Sequence, residues 1–474
     1  MNLHEPVSPD RRRFVSTAAG VATLAVAGSA VAVKASALML PQRQNINSME
    51  ATKLEKLEGA IGEMMDRSKK NPSDPKGWLA NAEPHNAFCA VPVTSGAAQI
   101  HFCYWFLPWH RAFLTVTERK IREIASDSTL CLPYWNWTTT RRIPERFAKQ
   151  SSPLSRAVRF TETRDLHASE IDYMSDDPEL RSLGVAALSA SRFVAAATSD
   201  PQQFRLNLIN SFGGVSRPNT PKVYGNGRLE GTPHGPVHGY VGGRDSATLR
   251  GGDMSNFETA ARDPIFFAHH GNLDRLWELW RSTGKNLAQE PTSAAFLKHS
   301  FVFPWLDGMP MEIAVAETLD TTKLGYMYDT LQVLETPKMS PFQAESASIP
   351  KVLPPIGRSK VQVPLAPESA SDSAGERYYL QIEGIEAPKR ILNAAVYVQK
   401  SGSRDQKLLV GSISVVQSGS QYHLVNVPVF DMTAAVRTLQ SANLEVVIIP
   451  NALGGEARDP YRPLRFARMS IVRR

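Results

Sequence analysis

Six of the eleven histidines in this chain form two groups of three, and these groups are where chemistry is expected. A neutral imidazole is the commonest transition-metal ligand in proteins. Three imidazoles per metal, with no adjacent carboxylate or thiolate cluster, suit copper, zinc or iron. The spacing therefore predicts a paired-metal centre, rather than six separate core histidines. The first triplet is His85, His101 and His110, and the second is His234, His238 and His270.

Both triplets lie in long, distinctive motifs between about Asn81 and Trp280. The first triplet lies in NAEPHNAFC and IHFCYWFLPWHRAFL, and the second in EGTPHGPVHGYVGG and MSNFETAARDPIFFAHHGNLDRLWELW. These motifs resemble the tyrosinase and catechol oxidase family of type 3 copper proteins, most closely its plant-like polyphenol oxidases. The resemblance implies two copper ions held by the six histidines. It also implies an enzyme that oxidises o-diphenols to o-quinones with O2 and leaves room for weak monophenol hydroxylation.

Two other functions would use a similar set of histidines. A haemocyanin-like oxygen-binding protein has the same metal centre, but a single-site chain with an export signal argues against it. A two-metal hydrolase usually adds bridging carboxylates, which these motifs lack. The expected partners are small phenols and O2, with no nucleic acid because no basic stripe is evident at a net charge of +7. The oligomeric state stays open.

The resemblance also assigns three residues near the copper ions. Glu230 matches the family's water-holding glutamate, where a loop salt bridge is the alternative. Phe257 matches the gate residue that stacks on a phenolic ring, where a plain core phenylalanine is the alternative. Gly235 stands where relatives often carry an asparagine that orients water. A glycine there predicts that diphenol oxidation is clearly stronger than monophenol hydroxylation.

The resemblance further implies a thioether bond between Cys89 and His101, because plant-like relatives link a cysteine four residues after the first ligand to the second ligand's ring. Cys103 is a rival by proximity. We expect Cys103 and Cys131 to be buried thiols. With three cysteines, the exported chain cannot pair them all internally.

Two choices on the helix opened by Pro264 depend on side-chain direction. His269 and His270 are adjacent, so their side chains point about 100° apart around a helix. The family places the ligand second, which favours His270 and leaves His269 beside the site. Asp274 either accepts a hydrogen bond from a ligand ring or forms a helix-surface salt bridge with Arg275 or a neighbour.

The sequence predicts helices that position these residues. Leu54, Leu57, Ile61 and Met64 repeat at helical spacing within 48–68, with Ser48 as N-cap. A second helix runs from Pro108 to about Ala125 and is opened by His110. His85 is expected in a loop. Pro236 fits only a first helical turn, so a helix begins at about His234. Asp263 and Pro264 fit the N-cap and first position of a helix that ends near Arg281.

We therefore predict a mainly α catalytic domain, a helical bundle around a dicopper site, followed by a smaller C-terminal β-sandwich domain. The catalytic domain spans 38–337 and ends after Tyr326-Met327-Tyr328, which resembles a family signature. A Pro- and Ser-rich linker spans 338–374. The β-sandwich spans 375–474, with strands at 377–382, 394–398, 408–416, 444–449 and 464–472. In relatives such a domain covers the copper site, and a permanent stability module is the alternative.

Residues 1–37 are expected to be a signal peptide. Arg11, Arg12 and Arg13 precede an apolar run, and small residues after it offer cleavage sites near Ala32 or Ala37. Paired arginines followed by Phe14 resemble a twin-arginine signal, with a Sec signal or an uncleaved anchor as alternatives. The mature chain is expected to be periplasmic or secreted, without stable membrane insertion.

Overall fold

We describe the protein from a computed structural model of the full chain. The helices have these bounds: α1 Ala51–Lys70, α2 Trp78–Cys89, α3 Phe106–Ala125, α4 Glu145–Ala148, α5 Pro201–Ile209, α6 Gly235–Gly242, α7 Ile265–Ser282, α8 Ala294–Leu297, α9 Val315–Thr318, α10 Thr321–Leu324 and α11 Thr433–Leu439. The structure describes residues 40–89, 100–155, 158–159, 166, 186–216, 225–243, 251–282, 290–331, 357–362, 378–383, 392–403, 407–418, 421–424, 429–441, 443–450 and 468–473. The predicted signal peptide at 1–37 lies outside these residues.

The long helices α1, α3 and α7 confirm the predicted helical segments, but two of the predicted starts are wrong. Helix α1 begins at Ala51, with Glu50 rather than Ser48 as its N-cap residue. Helix α3 begins at Phe106 rather than at Pro108 or His110. Pro108 is compatible with this start because a proline in the first helical turn costs no intrahelical hydrogen bond. The earlier start places His110 inside the first turns of α3.

Two predicted helix starts are confirmed. Helix α6 begins at Gly235 with His234 as its N-cap and Pro236 in the first turn. At the start of α7, the Asp263 carboxylate accepts a hydrogen bond from the Ile265 amide at 3.1 Å. This bond satisfies one of the amides that a helix leaves without an intrahelical partner.

A single apolar core holds the helical part together. Helix α3 packs on α1 and α7, and its apolar residues are buried from Phe106 to Ile121. Tryptophans fill the space between the helices, and the largest fully buried ones are Trp78, Trp109, Trp135, Trp137, Trp277 and Trp280. The histidine-bearing helices are therefore fixed by close packing rather than carried on mobile loops.

Short strands accompany the helical part: β1 Gln42–Arg43, β2 Arg192–Val194, β3 Ser211–Gly214, β4 Ser300–Pro304, β5 Pro310–Ala314 and β6 Met327–Tyr328. Strand β1 pairs with β6 in parallel, placing Gln42 opposite Met327 and Arg43 opposite Tyr328. The two ends of the helical part therefore meet in one small sheet.

The C-terminal part consists mostly of strands: β7 Gly357–Gln362, β8 Tyr378–Glu383, β9 Leu392–Lys400, β10 Lys407–Ser418, β11 Gln421–Leu424, β12 Val429–Asp431, β13 Asn443–Pro450 and β14 Arg468–Arg473. They form a five-stranded sheet in the order β11-β10-β9-β13-β7 and a three-stranded sheet in the order β12-β8-β14. Side chains from both sheets, including Leu380 and Val446, share one apolar cluster.

The predicted linker at 338–374 is wrong over 357–362. This segment is strand β7, which pairs antiparallel with β13 at the edge of the five-stranded sheet. Its sequence, GRSKVQ, carries two cations and one β-branched residue, so it lacks the apolar alternation by which a strand is recognised. The rest of the predicted linker lies outside the described residues.

Strands β9 and β10 lie against helix α6. The C-terminal sheet therefore touches the helix that carries His238. Among the residues that the structure describes, no helix is both long and apolar enough to cross a membrane.

Candidate metal centre

The first triplet is brought together from two helices and a turn. His85 lies on α2, which continues through Pro84, so the expected loop at this position is wrong. His101 lies in the turn before α3, next to Phe102, whose φ of 63° is in the left-handed region. His110 lies on α3. The ring centroids are 5.6 Å apart for His85 and His101, 5.8 Å for His85 and His110, and 5.2 Å for His101 and His110.

The second triplet is equally compact. A π-helical turn, Glu230–His234, leads into α6, and a kink at Thr232 turns the chain so that His234 and His238 reach one face. His270 comes from α7. Its ring centroid is 5.1 Å from that of His234 and 5.5 Å from that of His238. The structure therefore brings together all six predicted histidines, each of them at most 6% exposed.

The two triplets face each other directly. The rings of His110 and His270 are parallel, with an 8° interplanar angle and centroids 4.1 Å apart. The His101 and His234 ring centroids are 5.6 Å apart. Two metal ions held by these sets would therefore be neighbours.

Hydrogen bonds fix which ring nitrogen can bind a metal. The Nδ1 atoms of His85, His110 and His238 each donate to a backbone carbonyl at 2.8 Å. The acceptors are the carbonyl oxygens of Phe257, Phe106 and Met254 respectively. With its proton on Nδ1, a neutral imidazole leaves the Nε2 lone pair for a cation, and such partners also set the ring orientation.

The histidine side chains at this site are suited to binding a metal ion. The buried Nε2 atoms of His85, His110 and His234 have no hydrogen-bond partner within the described chain. Buried polar atoms are seldom left unpaired unless a ligand uses them. The Nε2 atoms of His238 and His270 lie 3.2 Å apart. Two nitrogens that each sit about 2.0–2.1 Å from one ion are separated by roughly that distance.

His269 lies close enough to be a further ligand, but its hydrogen bonding differs. Ligand atoms of His234, His238, His269 and His270 all lie within 4.8 Å of one another. The indole Nε1 of Trp137 donates to Nδ1 of His269 at 3.1 Å. The proton of a neutral His269 is therefore on Nε2, the nitrogen that the other rings keep free. This geometry favours His270 over His269 as the ligand.

Burial keeps the histidines neutral in the metal-free protein. Burial, aided by the neighbouring His238, lowers the pKa of His85 to about 3. Burial lowers the pKa of His238 to about 4. The site therefore has deprotonated ligands ready at neutral pH, which is the state that binds a metal.

A pocket opens onto both triplets. It is lined by His85, His101, His234, Gly235, His238, Met254, Ser255, Asn256, Phe257 and Ala260. The Phe257 ring lies 4.9 Å from the His101 ring. Phe257 and Gly235 are thus both at the pocket, as a gate residue and a position beside a ligand require.

Glu230 is buried in the π-helical turn rather than in a loop. Its Oε1 accepts a hydrogen bond from the Phe102 amide at 2.8 Å, and its buried Oε2 has no partner among the described residues. Burial raises the pKa of Glu230 to about 8. The structure shows no ion pair between this carboxyl and any described residue, so the expected salt-bridge alternative is not supported.

The three cysteines occupy different surroundings. Cys89 belongs to a cluster with His85 and His101 whose ligand atoms lie within 4.8 Å of one another. Cys103 and Cys131 are buried, as predicted. Cys103 donates its thiol to the Ile100 carbonyl at 3.7 Å, and the Cys131 sulfur accepts from Arg122 at 3.1 Å. Cys89 is thus next to the ring that the predicted thioether requires.

Both alternatives considered for Asp274 are wrong. Its buried carboxylate accepts from Arg111, from Arg43 at 3.2 Å and from the Tyr326 hydroxyl at 2.6 Å. Burial works against ionisation, yet Arg111 and Arg43 keep the pKa of Asp274 below its usual value. Arg43 also pairs with Glu118 at 2.9 Å. We call this set, Arg43, Arg111, Glu118, Asp274, Tyr326 and Tyr328, the charge network.

Comparison with known proteins agrees with the family resemblance inferred from the sequence motifs. Residues 75–283 match the sequence profile of the common central domain of tyrosinase. The chain is 28% identical over 384 residues to aureusidin synthase of Antirrhinum majus, covering 75% of this chain and 66% of that protein. It is 30% identical over 374 residues to the chloroplastic polyphenol oxidase II of Ipomoea batatas, covering 73% of this chain and 61% of that protein. The chain thus spans less than two thirds of these relatives.

Solved structures share the fold. A latent apple tyrosinase superposes with a TM-score of 0.62 at 24% identity, covering 92% of this chain and 97% of that one. A functional unit of octopus haemocyanin superposes with a TM-score of 0.52 at 15% identity, covering 91% of this chain and 99% of that one. At these identities the structures establish the fold alone.

Proposed function

Because the chain belongs to the tyrosinase and catechol oxidase family of type 3 copper proteins, we propose that it is a dicopper polyphenol oxidase. It oxidises o-diphenols to o-quinones with O2. The observation that carries this proposal is the meeting of six buried imidazoles in two facing triplets, with four of these rings lining one pocket. The polyphenol oxidase relative at 30% identity supports it.

His85, His101 and His110 would hold one copper ion, and His234, His238 and His270 the other. When bound, the copper pair supplies the O2 binding and the electron transfer that imidazoles cannot provide. The protein's own part is to fix the ring orientations through carbonyl hydrogen bonds and to exclude water by burial. The Phe257 ring, beside His101, offers a phenolic ring an aromatic surface.

The choice of diphenols over monophenols is part of the proposal. Hydroxylating a monophenol requires a base near the copper ions that removes the phenol proton. Glu230 supplies a buried carboxyl as the candidate base, and burial raises its pKa in the metal-free protein. Gly235 has no side chain to hold a water beside it. Weak monophenol hydroxylation and strong diphenol oxidation follow from this pairing.

We also propose the thioether between Cys89 and His101. The proximity of this sulfur to the first triplet supports it. Forming the bond replaces the Cys89 S–H and a ring C–H of His101 by one S–C bond, a two-electron oxidation for which the O2 of the proposed reaction is the acceptor. The bond would restrain one ligand and remove a buried thiol. Peptide mass mapping of the copper-loaded enzyme tests it, because linked peptides lose two hydrogens, whereas separate peptides contradict the bond.

For the C-terminal part we propose a β-sandwich that restrains activity. The apolar cluster shared by the two sheets supports the sandwich, and the contact of β9 and β10 with α6 supports an influence on the metal centre. Cleavage between the two parts separates the alternatives. Higher catechol turnover per copper supports a cover, whereas loss of copper supports a stability module.

The proposed location is outside the cytoplasm, reached through the twin-arginine signal predicted at 1–37. Changing Arg11, Arg12 and Arg13 together to lysine should retain the protein inside the cell. Continued export of this variant would point to the Sec pathway.

The decisive experiment is oxygen uptake by the copper-loaded chain with catechol. A polyphenol oxidase consumes O2 continuously and forms quinone. A haemocyanin-like protein binds O2 reversibly and stops, and a two-metal hydrolase consumes none. Metal analysis of the same sample shows whether turnover follows copper content.

A further inference from the structure

One short segment, residues 254–257, contacts ligands from both triplets. The Met254 carbonyl accepts the Nδ1 proton of His238, and the Phe257 carbonyl accepts that of His85, each at 2.8 Å. The Phe257 ring packs on His101. All four residues of the segment also line the pocket. The wall that a substrate would touch is therefore the same segment that orients the metal ligands.

Asn256 supplies the polar side chain of this wall. Ser255 is fully buried, and its hydroxyl is turned away to donate to the Gly243 carbonyl at 3.1 Å. Asn256 is only partly buried. Its Nδ2 donates to the Gly252 carbonyl at 2.9 Å and to the Gly251 carbonyl at 3.3 Å. These two bonds fix the amide plane and use its donors, so Oδ1 is the atom that remains for a ligand.

The other lining groups make this acceptor distinctive. The metals would occupy the histidines. The rest of the described lining consists of glycine, alanine, methionine, phenylalanine and Ser255, whose hydroxyl points away from the pocket. A site that hydrogen-bonds one group of a substrate rejects analogues without it far more strongly than an apolar wall does. An oxygen acceptor in apolar surroundings favours a hydroxyl or an ammonium group over a methyl group.

We propose that Asn256 is a specificity-determining residue: its Oδ1 accepts a hydrogen bond from a donor on the ring substituent of the phenolic substrate. This inference rests on the proposed oxidation of o-diphenols. A ring whose hydroxyls lie at the histidines presents its substituent to another wall of the same pocket. The preferred substrates are then catechols that carry an aminomethyl or hydroxymethyl group, in preference to methyl.

The test compares three catechols that differ only at the 4-position: methyl, hydroxymethyl and aminomethyl. Two variants separate the roles of the amide atoms. Asn256→Asp keeps an oxygen acceptor and loses the donors to Gly251 and Gly252, whereas Asn256→Leu loses both. We expect Asn256→Leu to lower kcat/KM for the aminomethyl compound about tenfold, the loss of one hydrogen bond to a charged group.

The same change should lower kcat/KM for the methyl compound by a smaller factor, because it also removes the bonds to Gly251 and Gly252, and Asn256→Asp should keep or increase the preference for the ammonium. A second readout is independent of turnover. Zinc has no redox chemistry, so calorimetry of the zinc-loaded protein gives the Kd of each catechol without oxidation. The ratio of Kd values should change in the same direction.

The outcomes are distinct. If both variants lower kcat/KM equally for all three catechols, Asn256 only supports the backbone, and the proposal is wrong. If the three wild-type Kd values are equal, the acceptor does not face the substrate, and the proposal is also wrong. If the wild-type protein consumes no O2 with 4-methylcatechol, the proposed function is wrong. The ratios of the Kd values of the three catechols then still show whether Asn256 Oδ1 accepts a hydrogen bond from the substituent.

Discussion

Helices α3 and α7 carry two buried polar clusters that differ in how their polar atoms are hydrogen-bonded. At His110 and His270, neutral rings are stacked, and unpaired nitrogens are among the buried atoms of the cluster. One residue further on α3, and one turn further on α7, Arg111 and Asp274 form an ion pair within the charge network. The first cluster keeps lone pairs available for a ligand, whereas the second uses its carboxylate oxygens within the protein.

The difference suggests a division of labour between neighbouring residues. Buried atoms without partners cost stability and are retained where a ligand uses them. Removing one partner of a buried ion pair strongly destabilises the protein, because the remaining charge is left without a counter-charge. The metal centre should therefore control activity with little effect on folding of the metal-free chain, and the charge network should do the reverse.

Loss of a ligand gives the largest expected effect. His238→Ala should abolish catechol oxidation and remove one of the two copper ions, because the second triplet keeps only His234 and His270. Unfolding of the metal-free variant should change by only about 1–2 kcal/mol, as for many buried substitutions. Oxygen uptake, copper analysis and urea titration check these three outcomes. Full activity with one copper ion would contradict the assignment.

Loss of the central carboxylate tests the other cluster. Asp274→Asn should lower the free energy of unfolding of the metal-free protein by about 3–5 kcal/mol, since Arg43 and Arg111 remain buried without their shared counter-charge. Urea titration measures this. The control is Asp127→Asn, which removes a surface partner of Lys56 and should cost at most about 1 kcal/mol. If both substitutions lower the free energy of unfolding equally, the charge network stabilises the protein no more than a surface ion pair does.

His269 packs beside His234 and His238 but is not one of the predicted ligands. His269→Gln should keep both copper ions and lower turnover about 10- to 100-fold, as expected of a residue that acts on the ligands from outside. Trp137→Phe, which removes the donor to His269, should have a similar effect. Measuring the copper content of His269→Gln and of His270→Ala side by side shows which of the two histidines is the ligand. If His269→Gln loses copper as His270→Ala does, His269 is itself a ligand.

The last prediction is a pH dependence of stability. His238 has a pKa of about 4 in the folded protein and about 6.5 when unfolded. Below pH 6.5 the unfolded state binds a proton that the folded state does not, so stability of the metal-free protein falls as pH falls and levels off near pH 4. Each such histidine contributes about 1.4 kcal/mol per pH unit.

Urea titrations of the metal-free protein at several pH values measure this slope. His238→Ala should reduce it by one proton, whereas Trp109→Phe, which changes a buried ring that does not titrate, should lower stability equally at every pH. An unchanged slope in His238→Ala would contradict the lowered pKa.

The sequence was most informative where a proline or a capping residue marks the start of a helix. Pro236 predicted the start of α6, and Asp263 with Pro264 predicted the start of α7. His85 was predicted in a loop, but it lies in helix α2, which continues through Pro84 although proline usually ends a helix. Tertiary contacts overrode the local preference.

Long-range partners were not predictable. Arg111 and Arg43 are 163 and 231 residues from Asp274 in sequence, so no local pattern linked them. The carbonyls of Met254 and Phe257 orient two ligands, yet a backbone carbonyl carries no side-chain signal. Strand β7 was missed because its pairing with β13, rather than its apolar content, makes it a strand.

The pairing of β1 with β6 has a consequence for the order of folding. Arg43 and Tyr328 are 285 residues apart, so this small sheet closes a very long loop. Contacts of such sequence separation form late and slow the folding of a domain. During synthesis, Arg43 meets Tyr326 and Tyr328 only after nearly the whole helical part has left the ribosome. The charge network can therefore be completed only after the chain has been made as far as Tyr328.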